Sequence, residues 1–219
     1  MTGIGNSMIA APEALELLRD GNRRFVSGAS GRNARANRTR RSELVVGQQH
    51  FAIILGCSDS RVPAEIIFDQ GIGDLFVIRV AGNIVAPPQT GSVEFAAEQF
   101  GTRLVVVLGH SMCGAVSATL EALDHSTESG SPNLRAIVDL IRPSVEPLLQ
   151  TENRHDPDTL LREAVRANIV ASVNHLRNDS TVLEKMIQQD RLLIVAAEYS
   201  LESGVVHFFD RLSETGKLS

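Results

Sequence analysis

Two short stretches of this chain carry residues suited to metal chemistry: Cys57-Ser58-Asp59-Ser60-Arg61 and His110-Ser111-Met112-Cys113-Gly114. They hold the only two cysteines of the sequence, 56 positions apart (113 − 57). Two thiolates and one imidazole form a donor set that suits a soft divalent ion such as zinc. Zinc (Zn2+) on Cys57, His110 and Cys113 is therefore the expected cofactor. Three protein ligands leave a fourth position open, which is the mark of a catalytic rather than a structural zinc. A single buried cysteine is usually a small hydrophobe. It is the combination, with a carboxylate and a guanidinium in the same loop, that points to a metal.

The charges in these loops predict how such a site behaves. Two thiolates offset the charge of a divalent zinc. Bound water then ionises less readily than on three neutral histidines, where its pKa is near ~7. Activity is thus expected to favour alkaline pH. Asp59 lies two residues after Cys57, within reach of the open position. Arg61 can hold it away through a bidentate pair. Paired, Asp59 is free to orient the attacking nucleophile; unpaired, it becomes a fourth metal ligand and blocks the site.

Each stretch follows an apolar run of strand type, residues 51–56 (FAIILG) and 104–109 (LVVVLG). Around them the pattern alternates. Residues 12–27 read as a helix, with Pro12 at a first-turn position and Gly28 as a stop. A short helix near 63–68 precedes a strand at 75–80. A loop over 81–89 leads to a helix at 90–100, and another helix starts near Cys113. Helical stretches cover about 133–150 and 158–189. Strands at 191–198 and 205–210 are joined by a turn at 200–204. Continuous apolar strands separated by helices indicate an α/β fold: a mainly parallel sheet of about four strands, flanked by helices. The short last connection adds a C-terminal antiparallel strand. In such sheets ligands bind beyond the carboxyl ends of the strands. Cys57 and His110 are each expected one residue past a strand, and Cys113 at a helix N-terminus, which favours its thiolate. Gly109 and Gly114 are expected to let the backbone pass tightly around the ion.

The totals restrict the remaining classes. The 219 residues are 43% apolar and 21% charged with formal net charge −5, as in an ordinary globular protein. That charge gives no global attraction to nucleic acid. Eight arginines and one acid fall between Arg19 and Arg41. Without aromatic residues for stacking in its polar part, this run reads as a solvated or partner-packed arm, not a nucleic-acid patch. No apolar run reaches the roughly 18–20 residues needed to cross a bilayer, so no membrane partner is expected. No secretory signal pattern opens the chain, so a cytoplasmic location is expected. The absence of G-x-x-x-x-G-K-[ST] and G-x-G-x-x-G argues against a nucleotide-binding protein.

The paired motifs CSDSR and HSMCG resemble those of the β-class carbonic anhydrases. The similarity runs from about Leu15 to Asp210, through RDGNRRF, CSDSRVPAE, GDLFVIRVAGN, GSVEFA and VLGHSMCGAV. The resemblance implies one domain over 1–219, with an N-terminal helical arm (1–46) and a catalytic α/β core (47–210). It implies reversible hydration of carbon dioxide to bicarbonate, zinc on Cys57, His110 and Cys113, and Asp59 with Arg61 as the catalytic pair. It also implies substrate contacts from the amide of Gln48, the backbone N–H of Gly114, and an apolar pocket of Phe76, Ala81 and a neighbouring subunit's Phe95. The implied assembly is a homodimer or a dimer of dimers, with the N-terminal helices embracing the partner.

Two departures from the family pattern follow. The chain has no tryptophan, so the bicarbonate pocket that some relatives build on one cannot form in the same way. Phe95 stands where some relatives have tyrosine, which removes a hydroxyl donor. Two other readings share the motifs: hydrolysis of carbonyl sulfide or carbon disulfide, for which pocket shape decides, and a non-enzymatic zinc-binding sensor. The Asp59–Arg61 pair argues against the sensor, because a structural zinc more often closes with a fourth permanent ligand. His50, near the first strand, is a candidate proton shuttle.

Overall fold

The structure, a computed structural model, describes residues 9–31, 38–124 and 131–209. Residues 1–8 and 32–37 of the expected arm, 125–130 in the loop before Pro132, and 210 at the end of the expected last strand lie outside them. The described strands form one sheet in the order β2-β1-β3-β4-β5: β1 (Ala52–Gly56), β2 (Leu75–Arg79), β3 (Leu104–His110), β4 (Leu193–Tyr199) and β5 (Val206–Phe209). The first four are parallel and β5 is antiparallel to β4. This is the expected α/β architecture.

All residues of β1 and β3 are buried, because helices cover both faces of the sheet. Ile53, Leu55, Val105 and Val107 face one cluster, which takes in Cys57, Cys113 and helix α7 (Pro157–Asn178). Ile54, Val106 and Leu108 face the other, which takes in Ala14, Leu15 and Leu18 of helix α1 (Ala11–Val26). Each such Leu or Ile, fully buried, contributes about 1.5–3 kcal/mol relative to exposure. Helix α1 is therefore part of its own chain's core. It approaches so closely that a Cβ on Gly21 would stand 1.8 Å from the carbonyl oxygen of Phe68. Asn22, buried beside it, ties Ile67, Gly204 and Val206 together.

Element boundaries differ from expectation where polar residues cap or prolines start a helix. Helix α2 (Arg38–Glu43) and helix α3 (Ala64–Ile67) are short. Helix α4 (Pro87–Gln99) begins three residues early, since proline fits the first turn, where no N–H partner is needed. Helix α5 (Gly114–Asp124) follows Cys113 directly. The expected helix 133–150 is α6 (Pro132–Val145) followed by a 3-10 turn, where Pro147 has no N–H to continue the α ladder. The expected single stretch 158–189 is two helices, α7 and α8 (Thr181–Gln188). Ser180 breaks it by accepting from the amide of Leu183 and donating to Glu94. No helix among the described residues is long and apolar enough to cross a membrane.

Candidate metal centre

Parallel β1 and β3 lie side by side, with Gly56 in register with Leu108. Their carboxyl ends therefore deliver Cys57 and the His110 turn to the same place. His110 is the last residue of β3 and not one past it, paired with Tyr199 of β4. Met112 then takes a left-handed φ of 53°. That turn brings Cys113 back, and its carbonyl accepts from the amide of Ser117 (3.0 Å), so it caps α5. The ligand atoms of Cys57, His110 and Cys113 all lie within 4.8 Å of one another, and all three residues are buried.

These residues fit a zinc ion. His110 Nδ1 lies 2.9 Å from the carbonyl oxygen of Ser111. A carbonyl can only accept, so Nδ1 carries the proton and Nε2 presents its lone pair. Among the described residues Nε2 is buried without a hydrogen-bond partner, an arrangement that is costly unless a ligand completes it. The two sulfurs share one proton. The Cys57 thiol is pulled toward its thiolate chiefly by the hydrogen bond from Cys113, against burial, and further by the amides of Asp59 and Gly82. Cys113 is pushed up by the same hydrogen bond, by burial and by the charge on Cys57. A divalent cation would take the place of that proton.

Asp59 and Arg61 stand at the rim of the site. Arg61 donates from Nε (3.0 Å), Nη2 (2.7 Å) and its backbone N–H (2.9 Å) to the Asp59 carboxylate. The side-chain bonds from Arg61 dominate in holding the Asp59 carboxyl well below the usual carboxylate range. Asp59 Oδ2 remains 3.9 Å from His110 Nε2. The carboxylate is thus paired with Arg61 while still beside a ligand atom.

The remaining expected residues are placed less tightly. Ala81 opens a 3-10 turn (Ala81–Asn83) whose Gly82 N–H points at the Cys57 sulfur, 3.4 Å away. Phe76 packs against the Cys57 side of the core. Phe95 is half exposed, its ring 6.5 Å from that of Phe76. Gln48 lies at the surface, and Gly114 opens α5 next to Cys113.

Two expectations are corrected. A Cβ on Gly109 would come within 2.4 Å of the Ile169 side chain. Gly109 is therefore required by the approach of α7, while a Cβ on Gly114 would meet nothing within 4 Å. His50 is buried between Phe76 and Phe100 (ring centroids 5.0 and 4.9 Å), and among the described residues neither ring nitrogen has a partner. Burial lowers its pKa. A ring with no hydrogen-bonded neighbour is a poor proton relay.

Sequence reasoning missed the residues that hold the loops. Arg79 donates to the carbonyls of Cys57 (3.0 Å) and Asp59 (2.6 Å). Its one signal was a charge at the end of the apolar run LFVIRV. Asn168 and Ser172, buried on α7, donate to the carbonyls of Gly82 (2.7 Å) and Asn83 (3.0 Å). They fix the turn whose amide faces Cys57. Only polar residues on an otherwise apolar helix face hinted at them.

The family described as Carbonic anhydrase matches residues 52–206. The chain is 37% identical over 204 residues to carbonic anhydrase 2 of Mycobacterium tuberculosis, covering 93% of this chain and 95% of that protein. It is 38% identical over 205 residues to a carbonic anhydrase of Mycolicibacterium smegmatis, covering 94% and 96%. The β-carbonic anhydrase CcaA has a similar fold, with TM-score 0.72 and 26% identity, over 94% of this chain and 91% of that one.

Proposed function

This chain belongs to the β-class carbonic anhydrases, and we propose how its residues divide the labour of that family's reaction. The activity is the zinc-dependent, reversible hydration of carbon dioxide to bicarbonate and a proton. When bound by Cys57, His110 and Cys113, zinc supplies the Lewis acidity that makes water a nucleophile at accessible pH.

The rest falls to the side chains around it. Asp59 accepts a hydrogen bond from the attacking water and aims its lone pair at the substrate carbon. Arg61 keeps that carboxylate ionised and engaged through its three contacts. Phe76, Ala81 and Phe95 of a neighbouring copy form an apolar lodging for carbon dioxide, which has no net dipole and competes poorly with water at a polar surface. The Gln48 amide and the Gly114 N–H donate to oxygens that gain charge as bicarbonate forms. The proton leaves to buffer.

The chain self-associates, as a homodimer or a dimer of dimers. Val45 (84% exposed), Val46 (94%) and Phe95 (51%) present apolar surface that a second copy would cover. We place the protein in the cytoplasm, where a reducing poise keeps Cys57 and Cys113 available as ligands.

One observation carries this reading. A buried His110 Nε2, unpartnered among the described residues, lies with two cysteine sulfurs beside a carboxylate paired to an arginine. The test is stopped-flow carbon dioxide hydration from neutral to alkaline pH, with zinc measured in the same sample. One zinc per chain and a rate that climbs smoothly with pH are expected, because Asp59 is paired with Arg61. Full zinc without turnover at any pH would overturn the proposal.

A further inference from the structure

The side chain of Ser111 joins the His110 turn to a loop ninety residues away, and nothing assigned so far uses it. Its backbone N–H donates to Tyr199 O (2.9 Å), one step beyond the His110–Tyr199 pair that ends the β3–β4 ladder. Its hydroxyl accepts from the N–H of Leu201 (2.9 Å) and donates to Glu202 Oε2 (3.3 Å). Glu202 also accepts from Ser200 Oγ (3.0 Å). That turn is closed within itself, Gly204 N–H donating to Ser200 O and Ser200 N–H to Val205 O. The carbonyl of the same Ser111 is the acceptor for His110 Nδ1–H. The residue whose carbonyl orients the imidazole is thus gripped at three points by the end of β4 and the turn that follows it.

We propose that Ser111 and Glu202 are positioning residues for His110: through the Ser111 carbonyl they fix the tautomer and ring direction with which His110 meets a metal. This rests on the Cys57, His110 and Cys113 site already described. Partners that hold a metal-ligating histidine through its second nitrogen typically change metal affinity by 10–100-fold when removed. The grip here is one residue further out, so the effect falls at the low end. Without the hydroxyl, the amide of Leu201 and the Glu202 carboxylate lose their common partner. The Ser111–Met112 peptide, which carries the carbonyl that His110 uses, can then rotate, and the ring with it.

The test compares the parent with Ser111→Ala, Ser111→Thr and Glu202→Ala, each loaded with zinc and then exposed to excess chelator. Ser111→Ala should release zinc about ten-fold faster than the parent, at the low end of the range for such partners. Ser111→Thr, which keeps the hydroxyl, should restore the parent rate to within about two-fold, and Glu202→Ala should lie between them. Melting of the metal-free forms separates positioning from folding. All four should melt within about 4 °C, the shift that roughly 1 kcal/mol gives a domain of this size. Parent-like release from both Ser111→Ala and Glu202→Ala would overturn the inference. So would fast release from Ser111→Thr, or a metal-free Ser111→Ala protein that melts far below the parent. A parent that takes up no zinc would instead overturn the metal site itself, which separates the two failures.

Discussion

After β1 the chain leaves the sheet on charged side chains. Arg79 grips the carbonyls of Cys57 and Asp59, and Arg61 grips the Asp59 carboxylate. After β3 it leaves on short-range dipoles: His110 to the Ser111 carbonyl, Ser111 to the backbone of Tyr199 and Leu201, Cys113 into the first turn of α5. The first loop reaches solvent, and the Arg61 side chain is half exposed. Ion pairs there are screened and contribute roughly 0–1 kcal/mol, so they can exchange at little cost. The second loop is buried at His110 and Cys113, where a hydrogen bond is costly to leave unmade. The division suits the work. Two candidate ligands sit in the buried loop, and the carboxylate proposed to meet the reacting water sits where its partner is half exposed.

The sharpest way to break this comparison is to remove a ligand from each loop. Cys57→Ser and Cys113→Ser should each lose zinc and essentially all hydration activity, because a serine hydroxyl stays protonated at neutral pH and is a hard donor. Zinc analysis beside stopped-flow rates checks both, and a fully active Cys57→Ser protein would place the metal elsewhere. Next comes Asp59→Ala. It should keep its zinc and lose about 10²–10⁴-fold in turnover, the range for a positioned acid–base group. Full activity there would strip Asp59 of its role.

Arg79→Met sharpens the contrast further. It removes the grip on the first loop but leaves the second intact. Turnover should fall about ten-fold, as expected for removal of an outer partner, with zinc content retained. If zinc is lost instead, Arg79 holds Cys57 more than it holds Asp59.

The smallest effect concerns His50, far from both loops in role. Burial keeps its folded pKa below that of the unfolded chain. Below pH ~6.5 the unfolded state therefore binds more protons, and stability is lost as pH falls. His50→Phe, which suits the box of Phe76 and Phe100, should flatten that loss. Urea unfolding of both proteins in the metal-free state at pH 8 and pH 5.5 isolates the difference, and equal slopes with pH would show that His50 does not titrate on unfolding.

Much of this was present in the sequence. The runs FAIILG and LVVVLG announced buried parallel strands, since only a sheet covered on both faces tolerates unbroken apolar residues. The short connection before residue 205 announced the antiparallel edge. Soft donors at the ends of those runs announced the metal ligands. The division of 158–189 into two helices was less visible. Asp179 and Ser180 are as compatible with a polar helix face as with a break, and the contact with Glu94 that fixes Ser180 lies 86 residues away.

By itself, then, the sequence determined the donor set, the strands that carry it, and the family, because each depends on residue type and local spacing. The tertiary structure alone decided three matters. It paired Asp59 with Arg61, assigned Gly109 to the approach of Ile169, and brought Arg79, Asn168, Ser172 and the β4–β5 turn around the site. Each of these depends on distances between segments far apart in the chain. Such distances are set by how helices and strands pack, which no local pattern of residues encodes.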